Sequence, residues 1–461
     1  MFTLDDVLAG TRGRLIAGNR NAAFRAVAID SRRAGPGDLF VAFRGQEHDG
    51  HDFVLDALTR GAAGALVEHV LEGQPWGSPD WKGQPVILAT STLRGLQDLA
   101  RYWRCRHDCI VVGVTGSVGK TTTKEVIAGL LAQRTPVLRT PANLNTDIGV
   151  PLTLMQLEPS HRAAVLEMGM NDLGEIRLLA RLALPSIGVV TNIQPSHLER
   201  LGTMDRIAEA KSELVQELPA AGLAVLNADD ERVRHMAGKG RADVVLYGLA
   251  PEAAVAATDI ESHGLGGIEF TVRYAQHQLR ARMGLVGKHS VYAALAAVAV
   301  ALRVGMSFEE AVGGLMRVEN GIRLVAVRGI WGSTILDDTY NASPASTLAA
   351  LNLLAEMEGR RVAVLGDMLE LGSFESEGHR IVGRRAAGVA DWLITVGARA
   401  RTIAEEARTA GMHADAVESF DRIGEVIHRL KRGLRPGDFV LVKGSHSVEL
   451  DEVVDAIRVA A

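Results

Sequence analysis

Apolar segments of strand length alternate with helical segments through the middle of the chain. Strands are predicted over residues 109–114, 163–168, 186–193 and 223–228, with helices from about 120 and over 175–183 and 205–218. A more β-rich stretch (244–286) and an Ala-rich helix (290–304) complete this block. Continuous apolar strands joined by helical crossovers are typical of a parallel sheet covered on both faces. The pattern therefore predicts an α/β domain.

Two further blocks flank this one. The first contains a strand, a Gly-Pro-Gly-Asp turn, a second strand and a helix over 52–62, and it ends in a loop-like stretch at 72–85. The third has four apolar strands separated by helices, one of them expected over 417–432, and resembles a smaller doubly wound unit. The expected fold class is α/β with three domains. They are a small N-terminal α/β domain (1–88), a central P-loop mononucleotide-binding parallel-sheet domain (89–316) and a C-terminal Rossmann-like domain (317–461).

Composition and charge exclude several classes of protein. The 461 residues are too many for one core, and the net charge of −5 disfavours a general nucleic-acid binder, because phosphate backbones are held by Lys and Arg. The N-terminus lacks a basic segment before an apolar one, and the longest apolar run (291–302) is too short to span a bilayer. The two cysteines are expected to be reduced thiols. We therefore expect a cytoplasmic protein without nucleic-acid partners or membrane insertion.

The most informative short stretch is "GSVGKTT", residues 116–122, which follows a predicted strand and opens a predicted helix. Its two glycines let the backbone curl around a phosphate, and the positive end of the helix adds to the attraction. Lys120 is suited to the β/γ oxygens and Thr121 offers a hydroxyl to Mg²⁺. Val114 stands where a strict Walker A motif has its first glycine, but the strand–loop–helix context still predicts phosphate binding. No Asn-Lys-x-Asp segment reads guanine, so a GTPase is disfavoured.

Three more side chains are candidates for a metal or catalytic site. Glu167 ends one predicted strand and His197 follows another, and such strand ends lie on the edge of a parallel sheet where ligands bind. Mg²⁺ prefers oxygen ligands, so the glutamate is a natural ligand and the histidine an unusual one. Each also has an ordinary interpretation, as a helix cap or a solvated loop residue. Lys211, by pattern alone, is a solvated helix lysine with acidic partners one turn away.

Several motifs recur in the order found in a known family. They are "TGSVGKTTTKE", "NLNTDIGVP", "LEMGMNDLGEI", "TNIQPSHLER", "AEAKSEL", "DDTYNASPAS", "LGDMLELG" and "LVKGSHS". Together they resemble the Mur ligases, and within that family the MurF type. The similarity extends through "IDSRRAGPGDLFVAFRGQEHDGHDF" (29–53), so it covers nearly the whole chain.

The resemblance implies an ATP-dependent, ADP-forming amide ligase of peptidoglycan synthesis. Such an enzyme joins D-Ala-D-Ala to the terminal carboxylate of UDP-MurNAc-tripeptide through an acyl phosphate. The implied cofactors are ATP as phosphoryl donor, two Mg²⁺ ions and a carbamylated lysine. The family also implies a monomer.

The resemblance further implies roles for individual residues. The catalytic side chains would be Lys120, Lys211 and His197. The nucleotide would be contacted by Gly116, Ser117, Val118, Gly119, Lys120, Thr121, Thr122, Arg323, Asp338, Tyr340 and Asn341. The UDP-sugar peptide would be contacted by Ser31, Asp49, Gly50, Asn145 and Thr146. The metal ions would be held by Thr121, Glu167, His197 and Lys211 as its carbamate.

The chain departs from the family pattern on its Ala-rich helix, where Ser290 and Ala293 replace two asparagines near the adenine. This departure implies an altered affinity or selectivity for the nucleotide. Three other interpretations remain open. One is another amide ligase, either of the Mur type or like the folylpolyglutamate synthetases, to which the block "DSRRAGPGDLF" is foreign. The second is a P-loop protein that uses nucleotide binding to control partners without ligation. The third is a sugar-nucleotide-binding protein whose catalytic site has decayed.

Overall fold

The computed structural model describes residues 1–45, 47–70, 73–77, 81, 83–141, 143–318 and 325–459. The chain forms two compact units. The first comprises Met1–Gly113, Arg134–Met170 and Gly174–Ile187, and the second comprises Val114–Gln133, Asn171–Leu173 and Gly188–Ala461. Within the described ranges, no helix is both long enough and apolar enough to cross a membrane.

The N-terminal block of the first unit is a small α/β sheet. Its elements are β1 (Phe2–Thr3), α1 (Leu4–Thr11), β2 (Arg14–Ala17), β3 (Ala23–Phe24), β4 (Ala26–Ala28), β5 (Asp38–Val41), α2 (Val54–Thr59), β6 (Gly64–Val67), β7 (Val86–Leu88) and α3 (Thr92–Arg104). Five strands form a sheet in the order β2-β7-β6-β5-β4, parallel except for β2. The predicted turn between β4 and β5 is present, with Gly37 at φ 90°. Trp76, in the stretch expected to be a loop, is fully buried in this core, and its indole N–H has no partner among the described residues.

The middle of the chain contains every strand and helix that the pattern predicts there. Its elements are β8 (Ile110–Thr115), α4 (Lys120–Leu131), β9 (Val137–Arg139), α5 (Gly149–Leu154), β10 (Ala163–Glu167), α6 (Glu175–Ala183), β11 (Ile187–Val190), α7 (Leu198–Leu201), α8 (Met204–Gln216), β12 (Leu223–Asn227), α9 (Glu231–Arg234), β13 (Asp243–Gly248), β14 (Val255–Ser262), β15 (Ile268–Tyr274), β16 (His277–Met283) and α10 (Val291–Arg303).

Strand pairing in this region changes from parallel to antiparallel along the chain. In the first unit, β9 and β10 pair in parallel. In the second unit, β12, β13 and β14 pair in parallel, whereas β14, β15 and β16 form the antiparallel ribbon expected from the β-rich stretch. The buried helix α10 packs against α4 and against β12 to β14, and its alanines permit this close approach. Helix α4, which begins at the phosphate-loop lysine, is therefore backed by a tightly packed core.

The C-terminal block, within the second unit, is a doubly wound sheet. The preceding helix, α11 (Phe308–Gly314), packs against α10 and β16 of the middle region. The elements of the C-terminal block are β17 (Val325–Arg328), β18 (Thr334–Asp337), α12 (Pro344–Ala355), β19 (Arg361–Gly366), α13 (Glu375–Ala387), β20 (Trp392–Val396), α14 (Arg401–Thr409), β21 (Val417–Phe420), α15 (Ile423–Gly433), β22 (Phe439–Lys443) and α16 (Asp451–Ile457). The strand order is β17-β18-β22-β19-β20-β21, parallel except for β17. Alternate residues of one strand enter opposite cores: Val364 lies in one apolar cluster and Leu365 in the other.

One helix expected in this block begins later than the sequence pattern indicates. A helix was expected over 417–432, but Val417–Phe420 is the edge strand β21, and α15 begins at Ile423. The side chain of Val417 is buried, and β21 pairs in parallel with β20. Tertiary pairing with the sheet therefore overrides the helical periodicity of a segment too short to decide by itself.

A buried ion pair fixes the chain between α15 and β22. Asp438 is 2% exposed and accepts from Arg360 Nε at 3.0 Å and Nη2 at 2.8 Å. The same carboxylate accepts from the backbone N–H of Arg435 at 2.8 Å. Removing Asp438 would leave the Arg360 guanidinium without its two charge-assisted hydrogen bonds.

We expect Asp438→Ala to lower the free energy of unfolding by about 2–4 kcal/mol, since it breaks a bidentate pair and a backbone hydrogen bond together. Urea denaturation followed by circular dichroism measures this change. The matched control is Asp421→Ala, which removes the partner of Arg401 in an exposed pair and should change stability by less than about 0.5 kcal/mol. Equal effects of the two substitutions would contradict the structural role given to Asp438.

Candidate active site

The phosphate loop joins the end of β8 to the start of α4. Gly119 precedes the helix in the left-handed conformation, with φ 82°. Gly116 has φ 145°, and a Cβ built on it would lie 1.8 Å from the hydroxyl oxygen of Thr191. The first glycine is therefore required by close packing and by its backbone conformation, and the second by its backbone conformation alone. The first N–H groups of the helix, which lack partners within it, give this loop a positive end.

A second loop, residues 191–196, clamps the phosphate loop from the neighbouring strand end. Asn192 accepts from the backbone N–H of Ser117 (2.9 Å) and, through Oδ1, from that of Val118 (3.0 Å). The carbonyl of Val118 accepts from the Thr191 hydroxyl at 2.7 Å and from Asn192 Nδ2 at 2.9 Å. The Ser117 hydroxyl also bonds the backbone of Gln194 in both directions. These bonds fix the curled shape of the loop.

Two lysines of the second unit differ sharply in their surroundings. Lys120 Nζ donates to the loop carbonyls of Gly116 (2.9 Å) and Ser117 (3.1 Å), and a phosphate would compete for this ammonium. Lys211 is 1% exposed, and no described residue forms a hydrogen bond or ion pair with its side chain. Burial lowers the pKa of Lys211 well below its ordinary value, and the positive charge of Lys120 lowers it further. The sequence-based interpretation of Lys211 as a solvated helix lysine is therefore wrong.

His197 lies one residue past the clamping loop, in the left-handed conformation with φ 56°. Its Nδ1 lies 2.7 Å from an Oε2 oxygen of Glu370, which follows β19 in the C-terminal block. This hydrogen bond is the main cause of a lowered pKa for the Glu370 carboxyl. Sequence reasoning did not single out Glu370, although it lies in the quoted motif "LGDMLELG".

In the first unit, Glu167 and Asn145 are brought together. Glu167 ends β10 with 1% exposure, and its carboxylate accepts from Asn145 Nδ2 at 2.8 Å. The backbone carbonyl of Asn145 accepts from the backbone N–H of Gly169 at 2.9 Å, so the residue is held through its backbone as well as its side chain. Thr146 accepts from the Gly149 N–H at 3.2 Å, where helix α5 begins. Asn145 thus orients the carboxylate that the sequence proposes as a metal ligand.

The candidate sugar-binding residues Asp49 and Gly50 lie in a tight bend of the first unit. Asp49 accepts from His51 Nδ1 at 2.5 Å, and His51 Nε2 accepts from the backbone N–H of Glu68 at 2.9 Å. Both ring nitrogens of the buried His51 are therefore used, which makes it a structural histidine and not a metal ligand. A Cβ on Gly50 would meet backbone atoms of Phe43 at 2.7 Å. Ser31 is buried in a turn after β4.

In the C-terminal block, Lys443 joins two of the predicted nucleotide-contacting residues. Its ammonium, 2% exposed as a residue, lies 2.6 Å from Asp338 Oδ2 and 2.8 Å from the carbonyl of Asn341. Lys443 was not among the site residues predicted from the sequence, although it lies in the motif "LVKGSHS". Tyr340 is 38% exposed and its ring stacks on that of His446, with centroids 6.2 Å apart. Arg323 lies outside the described residues.

The second unit supplies most of what a nucleotide and Mg²⁺ require. Its loop is so closely packed that only glycine fits at position 116, and Thr121 brings a hydroxyl to the first turn of α4. His197 presents Nε2, which has no partner among the described residues. Lys211 as an ammonium would repel a cation, so it fits a metal site only if the amine becomes an anion.

Comparisons with known proteins identify the family to which this chain is similar. Three family models match: "Mur ligase family, catalytic domain" over 23–78, "Mur ligase middle domain" over 114–301 and "Mur ligase, glutamate ligase domain" over 322–446. A UDP-N-acetylmuramoyl-tripeptide–D-alanyl-D-alanine ligase from Synechocystis is 37% identical, over 94% of this chain and 91% of the relative. A crystal structure of MurF from Acinetobacter baumannii has a TM-score of 0.86 at 29% identity, with 98% of both chains covered. MurF from Thermotoga maritima in complex with ADP has a TM-score of 0.79 at 28% identity, covering 94% of this chain and 96% of that one.

We expect Gly116→Ala to weaken binding of ADP by about 10–100-fold, because the added methyl meets Thr191 and the backbone is strained. Isothermal titration with ADP and Mg²⁺ measures the change. Gly411→Ala is the matched control, because Gly411 has φ 98° but open space at its Cβ position. An unchanged affinity in Gly116→Ala would show that the loop does not need its close packing.

Proposed function

The chain belongs to the Mur ligase family, and from this premise we propose that it joins D-Ala-D-Ala to UDP-MurNAc-tripeptide at the expense of ATP. The product would be the UDP-MurNAc-pentapeptide used in peptidoglycan synthesis. The observation that carries this proposal is the hydrogen-bonded phosphate loop, to whose carbonyls Lys120 donates, in a chain that is similar to relatives of that name over nearly its full length. We further propose that it acts as a monomer in the cytoplasm.

The reaction must make a poor acyl donor reactive. An oxygen of the tripeptide carboxylate bonds to the γ-phosphorus of ATP while the bond to the β,γ-bridging oxygen breaks, which releases ADP and leaves an acyl phosphate. The amine nitrogen of D-Ala-D-Ala then attacks the carbonyl carbon. The tetrahedral intermediate expels phosphate, and the nitrogen loses a proton.

The proposed role of Lys120 follows from its present contacts. Its ammonium donates to two loop carbonyls, and a γ-phosphate is a stronger acceptor for the same group. The lysine therefore stabilises the charge that develops when two anions, phosphate and carboxylate, approach each other. Mg²⁺, when bound, would screen the same charges on the phosphate oxygens. Thr121, His197, Glu167 and Lys211 are its proposed ligands.

The three domains would divide the substrates among them. We propose that residues 1–88 hold the UDP-sugar through Ser31, Asp49 and Gly50, and that 89–316 hold ATP. Asn145 and Thr146 would face the transferred phosphate and the peptide. The C-terminal domain, 317–461, would close over the nucleotide and the dipeptide. Its proposed nucleotide contacts are Arg323, Asp338, Tyr340 and Asn341.

The decisive assay is the product mass from ATP, UDP-MurNAc-tripeptide and D-Ala-D-Ala, with phosphate release measured in parallel. Release that requires both amino components, with formation of the pentapeptide, supports the ligase. ATP turnover that ignores both of them would favour a nucleotide-dependent regulator. Ligation of glutamate to folate would favour the folylpolyglutamate-type alternative.

We expect Lys120→Ala to lower kcat by about 100-fold or more while the thermal midpoint stays unchanged, because a single charge-stabilising donor is lost. The control is Lys239→Ala, which removes an exposed lysine and should leave kcat unchanged. An active Lys120→Ala enzyme would remove the phosphate loop from the mechanism.

We also propose that Lys211 carries a carbamate. A buried amine with a strongly lowered pKa and no described partner is uncharged near neutral pH more often than an ordinary lysine, and the uncharged amine is the form that reacts with CO₂. The nitrogen bonds to the carbon of CO₂ and loses a proton, which leaves an anion with two oxygens. Such a group suits Mg²⁺ and would neutralise the field of Lys120.

Carbon-13 NMR of the enzyme in labelled bicarbonate should show a carbamate signal that Lys211→Ala abolishes. This variant should be nearly inactive, and short added carboxylates should restore part of its activity by supplying the missing anion. Lys239→Ala, under the same conditions, should keep both the signal and the activity. Full activity of Lys211→Ala without any added acid would contradict the proposal.

A further inference from the structure

The C-terminal block touches the middle of the chain at a contact fixed by backbone as well as side chains. Besides the 2.7 Å contact between Glu370 and His197, the backbone N–H of Glu199 donates to the carbonyl of Glu370 at 3.4 Å. Gly372 lies so close that a Cβ there would meet backbone atoms of Glu199 at 2.9 Å. Segment 370–372 is therefore seated on the turn that carries His197.

Both residues of this pair have unusual backbone conformations. His197 has φ 56° and Glu370 has φ 63°, a region that costs a non-glycine residue about 1 kcal/mol or more. Such conformations persist where the surrounding structure demands them. Here they aim the two side chains at each other across the contact.

The chemistry of the pair determines which nitrogen of His197 is available. A carboxylate only accepts hydrogen bonds, so Nδ1 is the donor to Glu370 and carries a proton. The lone pair of the neutral ring is then on Nε2, for which the described residues provide no partner. The side chain is 24% exposed, so it is not fully enclosed by the fold. A histidine held by a carboxylate at one nitrogen and open at the other is the arrangement of metal-binding histidines.

His197 is also connected to the phosphate loop. Ser196, its neighbour, donates through its hydroxyl to that of Ser117 at 3.1 Å, within the clamp formed by residues 191–196. The imidazole is thus fixed from two sides, by the phosphate loop through the preceding residues and by the C-terminal block through Glu370.

We propose that Glu370 is a positioning residue that orients His197 and sets its tautomer. The C-terminal block thereby prepares His197 as a metal ligand near the phosphate loop. The proposal deepens the proposed function and rests on its assignment of His197 to the metal. Metal binding at Nε2 and the contact of segment 370–372 with the His197 turn then stabilise each other, because each favours the same orientation of the imidazole ring. A simple interdomain ion pair would stabilise the fold and leave metal affinity unchanged.

The test measures Mn²⁺ affinity of the full-length protein with saturating ADP, by electron paramagnetic resonance of free Mn²⁺. We expect Glu370→Gln to weaken Mn²⁺ binding by about 10-fold and Glu370→Ala by up to about 100-fold, the range for lost orienting partners of metal ligands. The matched control is Glu449→Gln, an exposed glutamate of the same block that is also left-handed, with φ 56°. It should bind Mn²⁺ as the unchanged protein does.

A His197→Ala variant separates the possible failures. If it loses Mn²⁺ affinity while both Glu370 variants retain it, the positioning role of Glu370 is overturned and the metal assignment survives. If His197→Ala also binds Mn²⁺ normally, the assignment of His197 to the metal in the proposed function is overturned as well. Neither result depends on ligase activity, which the product assay tests by itself. If the Glu370 variants lower the thermal midpoint but leave Mn²⁺ affinity unchanged, the contact of Glu370 with His197 has only a structural role.

Discussion

The close packing of the phosphate loop against residues 191–196 is the constraint from which the rest of the site follows. Two strand ends meet there, since the N–H of Thr191 donates to the carbonyl of Thr115 at 3.0 Å. The pairing leaves no room for a side chain at position 116 and uses the Asn192 amide to shape the loop. Protein–protein hydrogen bonds therefore fix the shape of the cradle, and such preorganisation reduces the reorganisation that binding and catalysis require.

The same second loop links two functions that the sequence places far apart. One of its ends shapes the phosphate site and the other leads directly to His197. Its middle is held as well, because the N–H of Ile193 donates to Asp230 at 2.7 Å, and Asp230 also caps helix α9. The hydrogen bond of Ile193 with Asp230 would therefore oppose a displacement of either end of residues 191–196.

Much of the fold was predictable because its signals are local. The alternation of apolar strands and helices identifies the α/β class, and β10 ends at Glu167 as predicted, whereas β11 ends at Val190, three residues earlier than expected. Tertiary effects were not predictable in this way. Strand β21 exists because a neighbouring strand offers it a partner, and no pattern in four residues reveals that. Lys211 shows the same limit, since a helix wheel cannot tell a lysine on the solvent side from one enclosed by other elements.

The site was predictable where residues are neighbours in sequence and unpredictable where they meet through the fold. Lys120 and Thr121 follow from one motif, whereas the contacts of Glu370 with His197 and of Lys443 with Asp338 join residues more than a hundred positions apart. Neither partner has a distinctive sequence signal of its own. From the sequence alone, a carboxylate or ammonium in a loop is predicted to be solvated, and only the structure shows which group it contacts.

Trp76 is an optical probe of the N-terminal core, in a chain that also buries Trp103 in the first unit and Trp392 in the second. Its indole is fully enclosed and its N–H lacks a partner among the described residues, whereas Trp331 in the second unit is 61% exposed. Indole fluorescence moves to longer wavelengths when water reaches the ring. Loosening of the N-terminal core would therefore red-shift the emission of Trp76, while the emission of Trp331 already reflects an aqueous environment.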